Sequence, residues 1–222
     1  MEASAPRHRS HQLVAATTLV AWAALHRAGR TWGSTREERR RPLPGDRLVH
    51  RPQTVSDHAT TLAAPPEEVW PWLMQVGWHR GGWYTPRWVD VLLFPDNLPS
   101  AEAVLTEYGD LQAGDVVPDG PPETGCRFVV RDVRPNTALV LESRTHLPAS
   151  WRAHGIARLH WTWSFDLTPV EDGTATRLQF RWRARTRPWW LTVGAHLVIL
   201  PADLVMTRGM FRGLARRVGA RS

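Results

Sequence analysis

Apolar and polar positions alternate most regularly between His160 and Ala184. Trp161, Trp163, Phe165 and Leu167 share one side, and His160, Thr162, Ser164 and Asp166 share the other. After Asp172-Gly173 the alternation resumes, with Leu178, Phe180 and Trp182 set against Arg177, Gln179, Arg181 and Arg183. A period of two predicts strands with one buried face and one wet face. Asp-Gly suits a type I′ turn, whose two central residues need positive φ. That turn sets Glu171 opposite Thr174, and then Leu167 opposite Leu178, Phe165 opposite Phe180 and Trp163 opposite Trp182. A slip of one residue would set Trp163 against Arg181, so turn and pattern specify one register.

The rest of the chain supplies what must cover that aromatic face. Leu13–Leu25 is apolar with arginines on both sides. It predicts a helix packed on the domain; a membrane-surface helix and a cleaved signal core are the alternatives, since thirteen residues fall short of the ~20 of a spanning helix. Met1–Ser10 is polar and is expected to be disordered, and Ser34–Gly45 reads as a charged, proline-broken linker. Thr54–Ala63 reads as a strand. Pro65-Pro66 followed by Glu67 and Glu68 then starts a helix through Val69, Leu73 and Val76. Pro86–Phe94 predicts a second helix and Ser100 caps a third. Gly114–Pro118, Cys126–Val133 and Thr137–Arg144 are strands, with a loop over His146–Ala157. From Pro188 a long helix runs to about Val218, kinked at Pro201. Val193, Leu197, Leu200, Leu204, Phe211, Leu214 and Val218 form its apolar face, at helical spacing.

Charge changes the picture in one respect. The net charge is +7, with all 28 basic side chains arginine. Met1–Arg51 carries +6 and Arg181–Ser222 carries +8, whereas Pro52–Phe180 carries −7. An acidic body with two basic ends is unlike a uniformly basic nucleic-acid module, and it could meet an anionic membrane through those ends. In strands such as Arg181-Trp182-Arg183 the arginines and tryptophans face opposite ways, so no stacking platform forms and nucleic acid is not an expected partner. Cys126 is the single cysteine, which rules out an intrachain disulfide, and it reads as a small strand hydrophobe.

Candidate chemistry is sparse. His79, His154, His160 and His196 show no metal-ligand spacing, so no metal is expected, and nothing implies a cofactor. His160 falls on the polar strand face and is expected in solvent. His79 shares its loop with Arg80, Trp83 and Tyr84, a set able to polarise a carbonyl or move a proton. The bland alternative is a surface loop that anchors Trp83. Asp57, Asp90 and Asp115 are isolated acids. Asp203 lies inside an apolar helix just after Pro201, where it either serves the backbone or an arginine, or projects inward to orient a ligand.

The order of strand, helices, antiparallel strands and terminal helix resembles the START-like (SRPBCC) superfamily of polyketide cyclase/dehydrase-like and lipid-transfer proteins. The resemblance rests on Ala64-Pro65-Pro66-Glu67-Glu68-Val69-Trp70, Gly114-Asp115, Leu159–Leu167, Asp172-Gly173, Thr176–Trp182 and the terminal helix. It implies an α+β helix-grip domain over residues 51–222, a curved antiparallel sheet of about six or seven strands around the C-terminal helix. Residues 1–50 would add a helix and a linker. It also implies a cavity for an apolar small molecule or lipid, lined by Trp163, Phe165, Phe180, Trp182, Leu197, Leu204 and Met206, with Trp83 and Tyr84 near its mouth. An enzyme of the cyclase/dehydrase type would use the same cavity, with His79, Tyr84 or Asp203 in acid–base roles. A third possibility is a peripheral membrane adaptor. The expected location is the cytoplasm, with or without membrane contact through the N-terminal helix.

Overall fold

A computed structural model describes residues 5–219. Six strands form one antiparallel, curved and unclosed sheet in the order β1-β6-β5-β4-β3-β2. They are β1 (Thr54–Leu62), β2 (Val116–Pro118), β3 (Arg127–Arg134), β4 (Ala138–Ser143), β5 (Arg158–Val170) and β6 (Ala175–Arg187). Helices α3 (Pro66–Met74) and α4 (Arg87–Leu93) follow β1, and the short helix α5 (Ala149–Ala153) interrupts the β4–β5 connection that reads from sequence as plain loop. The chain ends in α6 (Trp189–Gly194), a π-wound stretch over Ala195–Ile199, and α7 (Leu200–Val218). No helix forms after Ser100. Its hydroxyl instead accepts from the Tyr84 N–H at 3.0 Å, and only a single 3-10 turn, Thr106–Tyr108, follows.

The central hairpin has the register its pattern requires. Trp163 pairs with Trp182, Phe165 with Phe180 and Leu167 with Leu178. Asp172 (φ 55°, ψ 31°) and Gly173 (φ 85°) form the turn, closed by the Thr174 N–H donating to the Glu171 carbonyl at 3.1 Å. Phe165, Phe180, Trp182 and Leu178 are buried against Leu200, Met210, Phe211 and Leu214 of α7 in one core.

The supposed wet face of the hairpin is not wet. Thr162, Ser164, Asp166, Gln179 and Arg181 are all buried. The stretch read as a linker covers them: Thr35 caps α2 (Arg36–Arg40) with a reciprocal capping box through Glu38, and the chain then crosses the outer side of the sheet. Arg181 donates all five of its N–H groups. They go to Asp57 at 2.6 Å, to Asp46 at 2.8 Å and to the carbonyls of Glu38, Arg39 and Arg41 at 2.9–3.1 Å. Alternation shows that a strand has two different faces, and a polar layer of protein can cover the second in place of water.

The N-terminal helix α1 spans Ala5–Thr31, so Ala5–Ser10 is helical and not disordered, while Met1–Ser4 lie outside the described residues. Its C-terminal end packs on α7. Gly29 is buried there because a Cβ would sit 2.1 Å from the Leu200 carbonyl oxygen. The apolar face expected along the last helix holds for Leu200, Leu204, Phe211, Leu214 and Val218, which are buried, and fails for Val193 and Leu197, which are exposed. The π-wound stretch before Pro201 inserts an extra residue, which shifts the helical phase, so that Thr192 of α6 meets Thr186 of β6 at 2.7 Å while Val193 and Leu197 face solvent.

Candidate functional site

A partly enclosed cavity of about 200 Å³ lies between the inner sheet face and α7. Strand β5 contributes Trp161 and Trp163, and β6 contributes Phe180. From α7 come Asp203, Met206, Thr207 and Met210, a helical i, i+3, i+4, i+7 set on one face. The loop after α3 supplies Trp78, Trp83 and Thr85; α4 and the turn beyond it supply Asp90, Phe94 and Asn97. Asp119, Cys126 and His146 close the end where β2, β3 and β4 meet their connections.

The wall is mostly aromatic. Trp83 and Trp163 meet edge to face at 5.0 Å, Trp161 and Trp163 at 5.1 Å, and Phe128 backs them from the core. The indole N–H groups of Trp83, Trp161 and Trp163 are buried without a hydrogen-bond acceptor. An unsatisfied buried donor costs about 1–3 kcal/mol, offset in part here by the ring contacts.

Three polar groups break the apolar wall. Asp203 is held in place: the Trp182 Nε1–H donates to Oδ2 at 2.7 Å, His58 Nε2 lies 3.0 Å away and Ser56 Oγ 3.2 Å, while the Thr207 hydroxyl reaches Oδ1 at 3.3 Å. Among the described residues no arginine pairs with it, and its partners are side chains of β1, β6 and α7 itself. Asp90 is buried and accepts a short hydrogen bond from the Thr85 hydroxyl. Burial pushes its carboxyl above the usual carboxylate range, outweighing the Thr85 bond and the Arg87 charge that pull it down. The third group is a relay: His146 Nε2 lies 2.8 Å from Asp119 Oδ2, and its Nδ1 lies 2.6 Å from Ser143 Oγ. Such a pair can hold an imidazole in one orientation and pass a proton. The Ser143 hydroxyl, buried in β4 and engaged with Thr145, does not line the cavity.

Of the residues singled out from sequence, Trp83, Trp163, Phe180, Asp203 and Met206 line this cavity. Phe165 stacks behind Phe180 at 4.8 Å, Trp182 stands behind Asp203, and Leu204 packs in the core. Leu197 is 53% exposed on the π-wound stretch ahead of α7. Tyr84 is buried outside the lining. Its hydroxyl donates to the Trp72 carbonyl at 2.6 Å, and burial raises its pKa, so it is a core anchor rather than a titrating group. His79 is exposed and stacks on Trp78 at 4.7 Å, away from the lining, while His154 lies at the surface on the Ser150 carbonyl. His160 is half-buried beside Glu142, 2.5 Å from Oε1, and His196 meets His26 at 3.1 Å.

Sequence reasoning did not single out His58, Asp119, His146 or Trp161 for this site, and it read Cys126 and Asp90 as unremarkable. The pairing of Asp119 with His146 had one usable signal. In an antiparallel β2-β3-β4 meander the end of β2 and the end of β4 share one edge, as the pairing of Pro118 with Arg127 and of Val129 with Glu142 shows.

No family model and no curated protein matches the chain. Solved structures do. The hypothetical protein jhp0584 from Helicobacter pylori is 9% identical, with a TM-score of 0.45 and coverage of 79% of this chain and 94% of that one. Mll3558 from Rhizobium loti is 15% identical (TM-score 0.44), covering 74% and 96%. DynU16, a protein in the dynemicin biosynthetic locus, is 16% identical (TM-score 0.39), covering 75% of this chain and 47% of that chain. The architecture on its own terms, a curved antiparallel sheet of six strands closed on one face by a long C-terminal helix, is consistent with a helix-grip fold.

Proposed function

We propose that this chain is a START-like protein that binds one small, ring-containing, mostly apolar molecule between the sheet and α7. The observation that carries the reading is the cavity of about 200 Å³ with an aromatic wall and a carboxylate, Asp203, fixed at that wall by donors from two strands. A buried cavity of ~150 Å³ is enough for benzene, so this volume suits one or two fused rings and is too small for a whole phospholipid. Asp203 and Asp90 would accept from a ligand hydroxyl. The unpaired indole N–H groups would serve a ligand oxygen after a modest ring rotation. Burial of the rings supplies the driving force, at ~25 cal/mol per Å² of apolar surface.

Native mass spectrometry of the protein as isolated, with a tryptophan-fluorescence titration by 1-naphthol, tests this. Binding is expected, and Asp203→Leu should weaken it about tenfold, the loss of one charge-assisted hydrogen bond. A protein that carries no non-covalent mass and does not respond to 1-naphthol refutes the proposal.

The His146–Asp119 pair and the raised pKa of Asp90 support a second reading, cyclase/dehydratase-type acid–base chemistry in the same cavity. His146→Gln would then keep affinity for a co-purified ligand and lose its turnover. Unchanged turnover removes this reading.

A further inference from the structure

Helix α1 and the helix that begins at Trp189 approach each other at one end of the sheet. His26 meets His196, Gly29 meets Leu200, and the Trp32 ring lies 6.0 Å from Phe211, so contacts advance along both helices in the same sense. The two helices therefore run in the same direction, and α6 stays on the end of β6, where Thr192 meets Thr186 at 2.7 Å. None of residues 189–199 is buried, and neither is any described side chain of α1 before Gly29. Their exposed turns are apolar: Leu19, Val20 and Trp22 on α1, and Trp189, Val193, Leu197 and Val198 on the other helix, with Leu19 67% and Trp189 73% exposed. Trp22 stacks on His26, and Trp190 meets Trp151 of α5 edge to face, which brings the exposed Ile156 to the same end.

The charge at this end has one sign. Between Ala5 and Thr35, and between Gly173 and Ala202, the sequence contains no aspartate or glutamate. Arg27 and Arg30 on α1 are exposed, as are Arg158, Arg185 and Arg187 at the paired ends of β5 and β6 that lead into Trp189. An exposed apolar surface with tryptophans in it and an arginine collar beside it fits the boundary between acyl chains and anionic headgroups.

We propose that this exposed apolar surface docks the protein on an anionic bilayer. It enters the interface and does not cross it. Residues 189–199 span about 16 Å at 1.5 Å per residue and the apolar run Leu13–Leu25 of α1 about 20 Å, against a hydrocarbon core of about 30 Å, and from Leu200 onward the last helix is committed to the protein core. The arginine collar selects a lipid surface over a second copy of the chain, whose identical collar would be repelled. The docking stands independently of what the cavity holds.

Flotation of the full chain with vesicles of phosphatidylcholine alone, or of phosphatidylcholine with phosphatidylglycerol, reads this directly. Recovery with the anionic vesicles is expected, falling at high salt. Arg185→Gln and Arg187→Gln should each weaken partitioning about fivefold. The double variant Trp189→Ser/Leu197→Ser should abolish flotation with its near-UV circular dichroism unchanged, because neither side chain is buried. A chain that stays at the bottom with anionic vesicles, or a serine variant that floats as well as the unsubstituted protein, overturns the proposal. So does a dimer in mass photometry that the serine variant dissolves when no vesicle binding is seen.

Discussion

Replacing Arg181 with methionine tests the polar layer on the outer sheet face. Methionine keeps much of the aliphatic stem and removes five donated hydrogen bonds at once. Asp57, itself buried, would retain only the Gln179 amide at 3.1 Å, and Asp46 would keep Arg183 and the Leu43 N–H, each at 3.0 Å. Removing one member of a buried ion pair costs about 3–5 kcal/mol, because its partner stays charged in a poor solvent. With a urea m-value of about 2.5 kcal/mol/M, a loss of about 4 kcal/mol lowers the unfolding midpoint by roughly 1.5 M. The pH dependence gives an internal check. Burial raises the Asp57 carboxyl even though Arg181 pulls it down. A raised carboxylate pKa means stability that is complete below the unfolded value of ~3.9 and lost as pH rises through the folded value. Without Arg181 that folded value climbs further, so the destabilisation must be larger at pH 7 than at pH 4. Urea titrations followed by tryptophan fluorescence at both pH values measure it. A midpoint shift under about 0.3 M, the size expected for an exposed pair, or an equal loss at both pH values would refute the buried-layer reasoning.

Three further outcomes follow from the same geometry. Glu38 is held at about 2, chiefly by its hydrogen bond from Arg177, so its contribution is complete above the ordinary glutamate pKa and fades as pH falls toward 2; Glu38→Gln should remove that part of the acid-unfolding curve, about 1–2 kcal/mol after solvent screening. Trp182→Phe removes the indole donor to Asp203 and should lower stability by about 1.5–3 kcal/mol, read by thermal denaturation. Gly29→Ala places a methyl group 2.1 Å from the Leu200 carbonyl oxygen, which should force α1 off α7 at a cost of about 1–3 kcal/mol and raise hydrogen exchange in Ala28–Thr31.

Wherever one local pattern decided the outcome, the sequence was a reliable guide. The strand alternation and the Asp-Gly turn state the same register twice, once through burial and once through backbone geometry, and the hairpin has it. Pro65-Pro66-Glu67-Glu68 started a helix because a missing N–H and early carboxylates both suit that end. Tertiary structure decided the rest. Alternation distinguishes two strand faces without saying what covers them, so Arg181 and Asp166 read as wetted when α2 and the chain behind it bury them. The helical phase at Leu197 depended on a π-wound stretch, which has no marker beyond the nearby Pro201. The cavity wall joins Asp119, His146, Phe180 and Asp203, residues brought together only when the sheet curves over α7. Short-range sterics and periodicity are written residue by residue, whereas what a polar face meets, and how much space a packed core leaves, depend on the whole chain at once.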